Sequence, residues 1–252
     1  MNIKLIRHAT LWLEYRGKNI LVDPMLGDVG AYPPIQGSSN DRRNPLVPLP
    51  VSKESISRPD AVIITHLHND HWDPVAVETL AKEIPLFCQP GDEDIFKEQG
   101  FTHVTTVETE INWSNISFCR TEGAHGKGDI GVKMGQVSGF ILRAHDEPSV
   151  YIAGDTIFYP RVEEVLTTFQ PDVVVVNAGG ARFAVGDAIT MTPDDVISVC
   201  RTAPDSHVVA VHMDAINHCL DTRAILRERL AGAGLLNAVS IPADGETVTF
   251  NK

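Results

Sequence analysis

The segment Asp60-Ala61-Val62-Ile63-Ile64-Thr65-His66-Leu67-His68-Asn69-Asp70-His71-Trp72-Asp73 decides how this chain of 252 residues is read. Its first half is a continuous aliphatic run, which predicts a strand buried on both faces. Its second half sets three imidazoles and two carboxylates immediately beyond the strand end. His66 and His68 lie two positions apart, so an extended backbone points both the same way. Asp70 and His71 are offset by the turn that follows and can face a second ion. Imidazole nitrogen and carboxylate oxygen hold zinc, and manganese or iron can use the same donors. A polar loop containing histidine by chance, or a site for one ion, explains this density of donors poorly.

Upstream, Ile3 to Arg7, Leu11 to Tyr15 and Asn19 to Val22 read as short strands, with a turn at Arg16-Gly17-Lys18-Asn19. Asp23-Pro24 ends the third. The stretch from Gly27 to Pro50 is rich in Gly, Pro, Ser and Asn and is too long for an ordinary connection, which points to a functional or a disordered loop. Downstream, Pro74 to Glu83 reads as a helix, Leu86 to Cys88 as a strand and Asp92 to Glu98 as a helix closed by Gly100. Strands are predicted at His103 to Val107, Ile116 to Arg120, Ser138 to Arg143, Val150 to Ala153, Asp172 to Val176 and His207 to Val211. Val239 to Ile241 and Thr247 to Phe250 follow as closing strands. Helices are predicted over Pro160 to Phe169, from Thr192 as N-cap to about Arg201, and over Asp221 to Leu230. Strands first, then alternating strands and helices, imply an α/β fold: two sheets packed on each other with helices outside, an αββα sandwich in one domain over residues 1–252.

Composition narrows the function. The formal net charge is -12, and Arg42-Arg43 is the only basic cluster, which argues against a nucleic-acid partner. No apolar run approaches the roughly 20 residues of a membrane span. The N-terminus reads as a first strand rather than a signal peptide, so a cytoplasmic location is expected. Cys88, Cys119, Cys200 and Cys219 form no paired motif and read as buried free thiols, with Cys219 of interest because it follows His218. No Gly-Xaa-Ser-Xaa-Gly, Walker loop or Gly-Xaa-Gly-Xaa-Xaa-Gly is present.

The stretch from His66 to His71 resembles the HxHxDH signature of the metallo-β-lactamase superfamily, and the resemblance extends over essentially the whole chain. It implies a four-layer αββα sandwich carrying two divalent metal ions, zinc first. It also implies the later ligands: His125 in Gly123-Ala124-His125-Gly126, Asp155 in Ala153-Gly154-Asp155-Thr156 as the bridging carboxylate, and His212 after the strand Val208 to Val211. The expected metal set is therefore His66, His68, Asp70, His71, His125, Asp155 and His212, with Asp70 also the candidate catalytic proton acceptor. His218 competes with His212 but lies off the strand end, where it reads as approaching the site mouth or capping the helix at Asp221. His8 and Asp23, at the ends of the first strands, read equally as supports of the site and as ordinary core and turn residues. His103, His145 and His207 read as structural or surface residues.

The implied activity is hydrolysis of a small ester, lactone or phosphodiester by metal-activated water. Compact length, Asn177-Ala178-Gly179-Gly180 and the His212 to His218 segment look most like the UlaG-type lactonase group of metal-dependent hydrolases. Flavodiiron proteins carry Glu where this chain has His68. The alternative is a sensor or scaffold that binds metal without turnover, against which the intact ligand set argues. Tyr32, Trp72, Phe158, Arg182 and Phe183 are candidate substrate contacts by their loop positions, and Arg182 suits an anionic group. A homo-oligomer is compatible with the sequence.

Overall fold

A computed structural model describes residues 1–252. The opening apolar alternation folds as β1 (Asn2–Arg7), β2 (Thr10–Tyr15) and β3 (Lys18–Val22), with positive φ at Arg16 and Gly17 closing the second hairpin. The aliphatic run before His66 is β4 (Ala61–Ile63), and β5 (Leu86–Cys88) and β6 (Val104–Thr106) follow in parallel. The second half supplies β7 (Glu110–Trp113), β8 (Ile116–Glu122), β9 (Ser138–Arg143), β10 (Val150–Ile152), β11 (Val173–Asn177), β12 (His207–Val211), β13 (Val239–Ser240) and β14 (Thr247–Thr249). Two seven-stranded sheets result, ordered β14-β1-β2-β3-β4-β5-β6 and β13-β12-β11-β10-β9-β8-β7.

Helices α1 (Pro74–Thr79) and α2 (Glu93–Glu98) cover the first sheet, and α4 (Pro160–Phe169), α5 (Pro193–Thr202) and α6 (Arg223–Gly232) cover the second; α3 (Gly128–Met134) stands between β8 and β9 in the chain. The period-2 geometry of strands divides the core into layers. On β11, Val173 and Val175 face the other sheet, whereas Val174 and Val176 face the helices α4 to α6. On the first sheet, Ala61 and Ile63 enter the inter-sheet core and Val62 packs outward with Ala76 of α1 and Phe96 of α2. This is the expected four-layer αββα sandwich.

Several local expectations are corrected. The helix expected to reach Glu83 stops at Thr79, where Leu80 turns to extended backbone and the Lys82 ammonium takes the Val77 carbonyl. The helix expected from Asp221 starts at Arg223 with Thr222 as its cap, because Asp221 is engaged elsewhere. Strand β7 and helix α3 were not foreseen. The signal for β7 is legible in hindsight: Ser114 and Asn115 both have positive φ and form the tight turn that pairs β7 with β8. Helix α3 buries no residue, so it leaves no apolar periodicity to read.

The start of α5 carries a full capping box: Thr192 accepts from the Asp195 amide, and the Asp195 carboxylate accepts from the Thr192 amide. Thr192→Ala is expected to lower stability by about 1 kcal/mol. In a chain of this size that is a fall of roughly 2–4 °C in melting temperature. Thermal unfolding followed by circular dichroism checks it; an unchanged melt would show that the box contributes nothing.

Candidate metal centre

The ends of β1, β3, β4, β8, β10, β11 and β12 open onto one region; Asn177 closes β11 there, and the loops leaving the other strands carry His8, Asp23, His66 to His71, His125, Asp155 and His212. Hydrogen bonds tie the two sheets together there: the His212 amide donates to the His8 carbonyl at 2.9 Å, and the Ser138 amide donates to the Thr65 carbonyl at 3.2 Å. His8, Asp23 and His212 all have positive φ, at 60°, 45° and 65°. For such residues this costs on the order of 1–3 kcal/mol each, and it is the kind of strain concentrated at functional sites.

All seven residues expected as ligands come together. The ligand atoms of His66, His68 and His125 lie within 4.8 Å of one another, as do those of His8, Asp70, His71 and His212. Asp155 sits between the two clusters. Its Oδ2 is 3.3 Å from His71 Nε2, 3.4 Å from His125 Nε2 and 4.0 Å from His66 Nε2, and its Oδ1 is 3.3 Å from His212 Nε2. The Asn177 amide donates to Asp155 Oδ1 at 2.6 Å and fixes that carboxylate.

The partners of the imidazole nitrogens test whether these donors suit cations. His71 Nδ1 donates to Asp23 Oδ2 at 2.9 Å, and His125 Nδ1 donates to the Ile189 carbonyl at 2.8 Å. His66 Nδ1 lies 3.0 Å from Thr65 Oγ1, whose own hydroxyl donates to Asp23 Oδ2 at 2.7 Å. Each Nδ1 is thus held from outside and Nε2 is turned to the centre: His125 offers its lone pair there, His66 Nε2 lies 3.0 Å from His68 Nδ1, and His71 ligates once it gives up its second proton. His71 Nε2 and His212 Nε2 are buried with no hydrogen-bond partner. Lone pairs converging on a carboxylate repel it, and a cation among them removes the conflict. The residues therefore fit divalent metal ions of the type held by nitrogen and oxygen.

The charges agree with this geometry. Burial penalises the Asp155 and Asp70 carboxylates, yet His212 and His71 beside the former and His71 beside the latter outweigh it and hold both well below the usual range. Burial likewise opposes a charge on His71, but Asp155, Asp23 and Asp70 raise its pKa well above the ordinary imidazole value. Burial, assisted by His212, pushes His8 down to about 3.

His8 is closer to the centre than the sequence implied. Its neutral Nε2–H donates to Asp70 Oδ2 at 3.1 Å, and its ring lies 3.6 Å from that of His212. Asn177 and Thr65 were missed as site residues. A polar residue closing an otherwise all-valine strand was the available signal for Asn177. His218 belongs to neither cluster; it is buried, pushed down to about 4 by burial, and packs toward Phe183. Cys219 Sγ lies 3.5 Å from His212 Nδ1.

Among the proposed substrate contacts, Trp72 is a packing residue, buried against Phe96 and Phe101 with its indole N–H on Gln99. Phe158 packs against the α4 to α6 core. Arg182 is not a free cation: its two terminal nitrogens reach Asp221 at 2.8 and 3.3 Å. Asp73 stays out of the centre. It caps α1 through the Ala76 amide and accepts from the Gly27 amide and the Tyr32 hydroxyl.

Because Asp23 orients both His71 and the Thr65–His66 pair, Asp23→Asn should lower metal affinity about 10–100-fold with the fold intact. Competition with a chromophoric chelator measures this; an unchanged affinity would show that Asp23 only shapes the turn.

Comparison with known proteins gives the same answer. Residues 18–213 match the family model described as a beta-lactamase superfamily domain. The chain is 38% identical over 255 aligned residues to the UPF0173 protein YddR of Bacillus subtilis, covering 99% of this chain and 100% of that protein. It is 27% identical to a UPF0173 metal-dependent hydrolase of Exiguobacterium, covering 94% of this chain and 96% of that protein. Among solved structures, an isothiocyanate hydrolase from Delia radicum gut bacteria is 37% identical, with a TM-score of 0.95 and full coverage of both chains. A "possible metal-dependent hydrolase" from Veillonella parvula is 33% identical, with a TM-score of 0.96 over 99% of each chain. The matched segment spans every loop from His66 to His212, and the chain belongs to the metallo-β-lactamase superfamily, among its UPF0173 metal-dependent hydrolases.

Proposed function

We propose that this chain is a binuclear hydrolase of small molecules, using His66, His68 and His125 for one ion, Asp70, His71 and His212 for the other, and Asp155 between them. The observation that carries this reading is the convergence of imidazoles, their outer nitrogens held by Asp23 and the Ile189 carbonyl, on both sides of one fixed carboxylate. Zinc fits the donor set best, and manganese or iron fit it as well. Bound there, two divalent ions supply Lewis acidity and make water acidic enough to attack near neutral pH.

The chain's own residues do the rest. Asp155 is held by Asn177 and needs no reorganisation during reaction. Asp70 Oδ2, steadied by His8 Nε2–H, accepts the proton of the attacking water. Because Asp221 already occupies the Arg182 fork, a carbon electrophile such as an ester or lactone is favoured over a phosphodiester. A second reading has its own support: 37% identity over the full length to an isothiocyanate hydrolase makes that carbon–nitrogen centre a candidate electrophile too.

Metal analysis of the purified chain, with a panel of lactones, carboxylic esters, isothiocyanates and phosphodiesters, tests the proposal. Two ions per chain and turnover on a carbon electrophile are expected. Bound metal without turnover across the panel would instead favour a metal-binding sensor or scaffold.

A further inference from the structure

A cavity of about 270 Å³ opens beside Asp70. Its walls are the side chains of Met25, Tyr32, Pro33, Pro34, Ile35 and Ile216, with Gln36, Asn44 and Asn69 as its remaining neutral polar residues. It contains no Lys, Arg or His. Most of the polar groups around it are already engaged, the exposed Asn69 amide excepted. The Tyr32 hydroxyl donates to Asp73 at 2.8 Å. The Asn44 amide donates to Asn217 Oδ1 at 2.8 Å, and its oxygen accepts from the Asn217 amide at 2.9 Å. Arg43, on the same loop, is turned to the Gly30 and Ala31 carbonyls. An anion entering the cavity would lose hydration without finding a cationic side chain, next to the Asp70 carboxylate.

The wall is also fixed. Residues 32–36 belong to the long Gly- and Pro-rich loop, and one buried side chain ties that loop to the segment carrying His212. Asn217 accepts from the Ile35 amide at 3.0 Å and donates to Ser38 Oγ at 2.7 Å. A loop held this way presents a preformed surface, which lowers the entropy lost on binding. A cavity of roughly 150 Å³ is enough for benzene, so this one admits a substituent of phenylethyl or pentyl size.

We infer that this cavity is the substrate's side-chain pocket, selecting an uncharged, apolar substituent next to the scissile group, and that Asn217 is the positioning residue that holds its wall. The inference rests on the hydrolase reading for the place of the scissile group. The loop that is too long for an ordinary connection thereby becomes the specificity element.

The test uses the metal-loaded chain with methyl acetate, methyl hexanoate, methyl phenylpropanoate and monomethyl adipate, followed by pH-stat titration. Binding of the matching N-methyl amides is measured by calorimetry. Burial of each methylene is worth about fourfold, so kcat/KM for hexanoate should exceed that for acetate at least about tenfold. Adipate, with its terminal carboxylate, should gain nothing over acetate. Ile35→Phe should bring the hexanoate-to-acetate ratio toward one, and Ile35→Arg should invert the order of hexanoate and adipate. Asn217→Ala should lower the ratio while metal content stays at its full value. A wild-type ratio near one, or adipate processed as well as hexanoate, overturns the inference. If no ester is turned over, the hydrolase reading of esters fails by itself, and the amide affinities still decide the pocket by the same comparison.

Discussion

Asp155→Ala is expected to lower kcat/KM by about 10³-fold and to leave one metal ion per chain instead of two. The size follows from the several kcal/mol of charge stabilisation a metal site contributes, at 1.4 kcal/mol for each factor of ten. Asp155 is the one carboxylate within 3.3–4.0 Å of imidazole nitrogens from both clusters, at His71, His125, His66 and His212. Nothing else in the site can substitute for it. The fold should survive, because the side chain sits beyond the end of β10 and its one ordinary hydrogen bond is from Asn177. Metal analysis, steady-state kinetics and a thermal melt on the same preparation separate these effects. Full activity, or two ions still bound, would reject the bridging role.

Metal removal is the second large effect. Exhaustive chelation should take activity to background and lower the melting temperature by roughly 5–10 °C. An ion at about 100 times its dissociation constant stabilises by about 2.7 kcal/mol, and each kcal/mol moves the melt about 2–4 °C in a chain of this size. The effect has a defined pH dependence. Burial alone would strip the proton from His71, but Asp155, Asp23 and Asp70 hold its pKa well above the usual imidazole range in the metal-free chain. A ligating imidazole must be neutral, so binding displaces that proton. Affinity therefore rises with pH up to the raised His71 pKa and flattens above it. Titrating zinc, manganese and iron(II) into the chelated chain at several pH values measures this. Affinity independent of pH below that point would show that His71 is not a ligand.

How much of this was legible in the sequence depended on how local each signal was. His66, His68, Asp70 and His71 follow a strand of pure aliphatic residues, and spacing alone could group them. His125, Asp155 and His212 were recognisable by resemblance and by their places after strands. His8 was left open because nothing local distinguishes a ligand-contacting imidazole from a core one. Only the hydrogen bond between the sheets, from the His212 amide to the His8 carbonyl, brings residues 204 positions apart into one site. Arg182 shows the opposite error: an arginine in a glycine-rich loop reads as an anion receptor until Asp221, far along the chain, closes on it.

By itself, then, the sequence determined the four-layer sandwich, the strand ends that bear donors and the chemical class of those donors. Alternation, turn residues and ligand types are properties of short stretches. The tertiary structure decided which groups hold the outer nitrogens of His66, His71 and His125, that Trp72 and Arg182 are occupied, and that residues 32–36 wall a cavity under the hold of Asn217. Those outcomes depend on partners tens to hundreds of residues away, and a lone pair or a salt bridge exists only once both partners share a place.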